Sequence, residues 1–226
     1  MRKITLVSFA IVVAALLTIS CGKIRTLPTS VLEMAYGGPD ESTYPFESSL
    51  DGFSQYGVGD NQSFLTIGLS NDRSYMGVGC VKFNVSFTGL TNFRGGVMCK
   101  PSPGAVEMAG KTLTAYVWVP AGMFDSSNPY GATFFIQLPD NDWYQSTWQN
   151  LNLPSGTVAG IWNKVSFFAD NMTLANGDGS AGHVNGNTVV QNGANINAQQ
   201  KWGIKIGMGD TSAPYTGTIY IDSLSI

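Results

Sequence analysis

Charge is scarce in this chain. Asp, Glu, Lys and Arg together make up only 12% of its 226 residues, and the net charge is -3. No basic stripe is available to neutralise phosphates, so nucleic acid is excluded as a partner. Histidine occurs once, as His183, in a Gly/Asn-rich stretch with no Cys or second His at ligand spacing. Neither a zinc site nor a Ser-His-Asp triad can be built on it, and it reads as a solvated loop residue. Glutamate is limited to Glu33, Glu41, Glu47 and Glu107, while the aspartates fall mostly in turn-like contexts such as Asp51-Gly52, Asp140-Asn141-Asp142 and Asp178-Gly179. Cleaving a glycosidic bond normally takes two carboxyl groups that flank it. No such pair stands out, and the chain reads as non-catalytic. Its 27 glycines are scattered among turns rather than gathered into a phosphate loop, which leaves nucleotide binding without support.

The chain begins with Arg2 and Lys3, continues uncharged and mostly apolar from Ile4 to Ser20, and reaches Cys21 behind a small residue. That is the layout of a secretory signal, although a run of this length also lies at the lower limit for spanning a bilayer. The tetrad Thr18-Ile19-Ser20-Cys21 resembles the lipobox of bacterial lipoproteins, with Thr18 in place of the more usual leucine. The resemblance implies cleavage before Cys21 and a diacylglycerol on its sulfur. Each buried methylene then contributes roughly 0.8 kcal/mol to membrane attachment. The expected organisation is a signal peptide over 1–20, a lipidated tether over 21–42 containing Pro28, Gly37, Gly38 and Pro39, and one domain over 43–226. Gly22 stands where an inner-membrane retention signal commonly places Asp, so the outer membrane or cell surface is the expected location.

Beyond the tether, short runs rich in Val, Ile, Thr, Phe and Tyr alternate with Gly, Asn, Asp and Pro, the pattern of an all-β sandwich or barrel. Strands are predicted at 64–69, 80–87, 92–99, 112–119, 133–138, 163–168, 201–208 and 217–226, and 171–200 is predicted as loop. In the run from Thr112 to Val119, Leu113, Ala115, Val117 and Val119 share the core face, which leaves Tyr116 and Trp118 outward. Lys82, Asn84 and Ser86 oppose an apolar face in the same way, as Lys205 opposes Ile204 and Ile206. Gly89-Leu90 suits a type II′ hairpin turn, which would bring Cys80 opposite Cys99. In an oxidising compartment these two thiols are expected to form a disulfide contributing roughly 3 kcal/mol, unless Gly95-Gly96 shifts the register.

The one enriched chemistry is aromatic. Trp143, Tyr144 and Trp148 are interleaved with Asn141, Asp142, Gln145, Ser146, Gln149 and Asn150. A pyranose offers C–H faces that stack on such rings and hydroxyls that bond to amide side chains. From about Tyr44 to Ile226 the chain resembles carbohydrate-binding modules of the galactose-binding-like jelly-roll type. The carriers are Phe46-Glu47, the run from Gly110 to Pro120, Trp162-Asn163-Lys164-Val165-Ser166-Phe167, Trp202-Gly203-Ile204-Lys205-Ile206 and Gly217-Thr218-Ile219-Tyr220-Ile221-Asp222-Ser223. The resemblance implies a β-sandwich, a polysaccharide or oligosaccharide ligand, and a structural calcium ion held by Glu47 and Asp222. It also implies ligand contacts from Tyr116, Trp118, Phe135, Gln137 and Lys205 if the sheet face is used, beside those from Trp143, Tyr144 and Trp148. Trp162 and Trp202 are expected in the core. Such modules usually accompany a catalytic domain, whereas here one stands behind a lipid anchor, so glycan capture for a separate glycoside hydrolase or transporter is the leading expectation. The alternatives are a structural or adhesive envelope lipoprotein that uses the sandwich for protein contacts, and an enzyme built on the same fold.

Overall fold

A computed structural model describes residues 43–58, 65–87, 94–99, 106–123, 130–151, 153, 160–207 and 215–226, within one compact unit, Glu41–Ile226. The leader, the tether, Cys21 and the Gly89-Leu90 turn lie outside the described residues. Among the described residues no helix is long and apolar enough to cross a membrane.

Among the described residues thirteen strands form two sheets: β1 Thr43–Tyr44, β2 Phe53–Val58, β3 Leu65–Ser70, β4 Cys80–Phe87, β5 Arg94–Cys99, β6 Thr112–Val119, β7 Gly131–Gln137, β8 Trp143–Gln145, β9 Gln149–Asn150, β10 Ile161–Phe168, β11 Thr173–Asn176, β12 Lys201–Gly207 and β13 Tyr215–Ser225. The first sheet runs β10-β6-β13-β4-β3, with β1 on β13; the second runs β11-β8-β7-β12-β5-β2, with β9 on β7. Every named pairing is antiparallel, and the two sheets pack as a jelly-roll β-sandwich.

The core follows from the alternation. Val81, Phe83, Val85, Leu113, Ala115, Val117, Ile219 and Ile221 face inward from the first sheet and meet Ala132, Phe134, Ile136, Ile204 and Ile206 of the second. Tyr44, Phe46, Phe53 and Trp202 close one part of this core, with Phe53 set edge-on to Trp202 at 5.1 Å between ring centroids. Trp202 is core as expected, but Trp162 is only partly buried and packs outside the first sheet against Trp118 and Tyr220.

The expected Cys80–Cys99 hairpin does not form. β4 pairs with β3 and β13, whereas β5 pairs with β2 and β12, so the chain changes sheets between the two cysteines. Cys80 is a free, buried thiol whose Sγ lies 3.6 Å from the Ser70 carbonyl oxygen. Burial and the neighbouring Asp222 carboxylate push its pKa up to about 12. The stretch 171–200 is also more ordered than a simple loop. It holds β11 and one turn of helix, α1 Val189–Asn192, closed by a capping box in which Thr188 and Gln191 exchange hydrogen bonds.

Candidate functional site

The outer face of the second sheet gathers aromatic, amide and ammonium groups from four strands. Register sets Tyr56 opposite Gly96, Gly96 opposite Lys205, and Lys205 opposite Thr133. One row further along, Gly203 lies opposite Phe135, and Phe135 opposite Gln145. Gly96 and Gly203 carry no side chain, so the larger neighbours lean across them. Tyr56 comes within 4.7 Å of Phe135 between centroids, and Phe135 stacks on Trp143 at 4.6 Å with an 11° interplanar angle. Lys205 is 2% exposed. Its Nζ donates to Oε1 of Gln145 at 3.0 Å and lies 5.1 Å from the Trp143 ring and 5.7 Å from those of Phe135 and Trp148. A hydrogen bond to a carbonyl oxygen and the negative potential of ring faces offset part of the cost of burying an ammonium. At the rim, Gln137 donates to Oδ1 of Asn141 at 3.4 Å, and Trp148 is 36% exposed.

Trp143, Trp148, Gln137 and Lys205 therefore share one face. Tyr144 alternates with Trp143 and Gln145 and points the other way, fully buried in the core, where its hydroxyl accepts from Nδ2 of Asn192 at 2.9 Å. Tyr116 and Trp118 lie on the outer face of the first sheet, opposite Lys164 and Trp162 of β10. Both are covered by the chain's own segment between β3 and β4: Tyr75 stacks on Tyr116 at 3.5 Å, and the Arg73 guanidinium sits 4.0 Å from the Trp118 ring centre. Tyr56 escaped sequence reasoning, although the alternation Phe53-Ser54-Gln55-Tyr56, with Phe53 inward, carries its signal.

Glu47 and Asp222 hold that same covering segment. Oε2 of Glu47 accepts from the backbone N–H groups of Val78 at 2.8 Å and Gly79 at 3.1 Å. Oδ2 of Asp222 accepts from those of Tyr75 at 2.6 Å and Met76 at 3.0 Å, and its Oδ1 from that of Ser223 at 2.6 Å. Amide dipoles aimed at these oxygens take the place of a cation, so the arrangement does not fit the calcium ion that the family resemblance implies. Burial pushes the Asp222 carboxyl above its usual range, against the opposing pull of the amide donors. The described residues that do converge like metal ligands are Asp140, Asp142 and His183. His183 is not free in solvent: its Nδ1 meets Oδ2 of Asp142.

The twin-sheet jelly-roll is shared with solved structures, several of which are described as carbohydrate-binding modules. One, described as showing the structural basis for the promiscuous specificity of carbohydrate-binding modules from the β-sandwich superfamily, is 18% identical with a TM-score of 0.50 over 82% of this chain. This chain spans 61% of that protein's length. The family 11 module of the cellulosomal cellulase Lic26A-Cel5E of Clostridium thermocellum is 9% identical, with a TM-score of 0.48 over 82% of this chain and 92% of that one. The C-terminal family 22 module of Clostridium thermocellum Xyn10B is 11% identical, with a TM-score of 0.45 over 84% and 94%. Identities this low establish a shared fold and nothing finer. No family model matches the sequence, and no curated protein is similar to it.

Proposed function

We propose that the chain is a non-catalytic glycan-binding lipoprotein of the cell envelope, anchored through Cys21, that captures a polysaccharide or oligosaccharide for a separate glycoside hydrolase or transporter. The observation that carries the reading is the outer face of the second sheet, where Tyr56, Trp143 and Trp148 lie around the Lys205–Gln145 pair, with Phe135, expected as a ligand contact, fully buried beneath Tyr56 and Trp143. Rings bind the C–H face of a sugar, and the amides of Gln137 and Gln145 reach hydroxyls at its edge. The fold shared with a protein described as a carbohydrate-binding module supports the same reading. Outer membrane or cell surface is the location that Gly22 after the lipidated cysteine favours.

Affinity electrophoresis of the detergent-solubilised full chain through gels containing mannan, xylan, β-glucan or no polysaccharide, with a reducing-sugar assay alongside, tests this. Retardation without sugar release is expected; sugar release would make the chain an enzyme. Fatty-acid labelling that persists in Cys21→Ser would remove the anchor.

A second reading, an adhesive lipoprotein, draws on Leu69, Tyr75, Met76 and Val78, which are exposed around the segment between β3 and β4. It predicts no retardation on any gel.

A further inference from the structure

At the end of β7 the chain turns through Asp140 and Asn141 into β8, and the segment after β11 folds back over that turn. Two side chains of that turn, Asp140 and Asp142, meet there with His183, which lies 41 residues beyond Asp142. Nδ1 of His183 contacts Oδ2 of Asp142 and lies 3.7 Å from Oδ2 of Asp140, and the potential ligand atoms of the three residues all fall within 4.8 Å of one another. Asp142 is 1% exposed, and His183 is the single hydrogen-bond partner of its side chain among the described residues. Oδ1 of this carboxylate receives no hydrogen bond from the described residues. It faces Gly177, where a Cβ would overlap it, so the missing side chain leaves space beside the oxygen.

A buried carboxylate satisfied at one oxygen is costly unless positive charge is supplied nearby. One proton on Nδ1 makes a good hydrogen bond to one carboxylate, yet two carboxylate oxygens are brought to the same nitrogen. A cation that bonds to all three atoms resolves both problems. We propose that His183, Asp142 and Asp140 form a divalent transition-metal site, with open positions left to water. Bond lengths of about 2.0–2.2 Å for imidazole nitrogen and carboxylate oxygen set the ligand atoms of a tetrahedral ion roughly 3.3 Å apart, so the ion enters as the His183–Asp142 contact opens and Asp140 moves slightly inward. One imidazole with two carboxylates suits zinc better than calcium, which prefers a shell of six to eight oxygens. The ion clips the segment around His183 to the turn that leads directly into Trp143, and so braces one wall of the aromatic face.

The test is titration of the metal-stripped full chain with zinc chloride and, separately, calcium chloride, read by calorimetry and by the melting temperature. Zinc is expected to bind with one-to-one stoichiometry and raise the melting temperature. Asp140→Asn, which keeps the His183–Asp142 contact, and His183→Gln are each expected to weaken binding at least about tenfold. Asp178→Asn, an exposed acid in the same segment, leaves it unchanged. Absence of saturable zinc binding, zinc binding indifferent to Asp140→Asn and His183→Gln, as a cysteine site would show, or a site taken by calcium in preference to zinc would each overturn the proposal.

Discussion

Replacing Asp222 should uncouple the segment between β3 and β4 from the sandwich, and the structure sets the size of the effect. In Asp222→Ala three backbone N–H groups, those of Tyr75, Met76 and Ser223, lose their acceptor. An unsatisfied buried donor costs about 1–3 kcal/mol. Ser223 is buried and bears that cost in full, whereas Tyr75 and Met76 are 43% and 42% exposed, so their amides recover part of it from water. The expected loss is about 2–4 kcal/mol near neutral pH. Asp222→Asn keeps one acceptor oxygen and should lose about half as much. The pH dependence has a definite sign. Burial raises the Asp222 carboxyl in the folded chain, so its contribution is fully present below the ordinary aspartate range and fades as pH rises through the raised value. The stability gap between wild type and Asp222→Asn, measured by urea denaturation with tryptophan fluorescence, should therefore be wider near pH ~3 than near pH ~7. Calcium should not alter it. An Asp222→Ala loss below about 0.5 kcal/mol, or a gap that widens as pH rises, would refute the reasoning.

Trp143→Ala should weaken glycan binding by about 1–3 kcal/mol, roughly fivefold to more than a hundredfold in Kd, with the fold retained; loss of the cooperative melt would make Trp143 a core residue. Cys80, with its thiol pushed up to about 12 and buried, should resist iodoacetamide in the native chain near pH ~8 and react in urea. Peptide mapping by mass spectrometry reads this directly, and native-state labelling of Cys80 would contradict its placement. Gly79→Ala should cost about 2 kcal/mol, because a Cβ there would overlap the Phe46 carbonyl oxygen just where Glu47 binds the Gly79 amide. A melting temperature equal to wild type would show that the backbone there yields.

The strands that were legible in sequence are those whose alternation is strict. β4 and β6 run over the residues that the pattern indicated, because each has one face wholly inside the sandwich. The failures have a common physical origin in non-local placement. Gly89-Leu90 has hairpin chemistry, but turn chemistry carries no information on whether the two strands enter the same sheet, and in this topology they do not. His183 had no ligand partner at short spacing because its partner, Asp142, lies 41 residues earlier and is reached by folding alone. Tyr116 and Trp118 were assigned to the correct side of β6. What sequence could not show is that Tyr75 and Arg73 already occupy those rings. Trp143 and Trp148 stand out in sequence through their amide-rich surroundings and lie together beside Lys205, whereas Tyr144, between two outward residues, follows the strand alternation into the core.

The sandwich thus carries two aromatic faces, and they differ in what a ligand would have to displace. On the first sheet, a sugar seeking Tyr116 or Trp118 must lift a segment that four backbone amides fasten to Glu47 and Asp222. Each such bond contributes about 1 kcal/mol or more, which together is comparable with the whole affinity of a millimolar sugar ligand, about 4 kcal/mol. Displacement there would consume the binding energy. On the second sheet Trp148 is already partly exposed, and Trp143 is half-buried beside it across Lys205. Oxidative footprinting of the tryptophans with and without the glycan that retards the chain distinguishes the faces. Protection is expected at Trp148 and Trp143, with Trp118 and Trp162 unchanged. Protection confined to Trp118 and Trp162 would move the site to the first sheet and require the Glu47–Asp222 clasp to open on binding, which Asp222→Asn would then facilitate by tightening the apparent affinity.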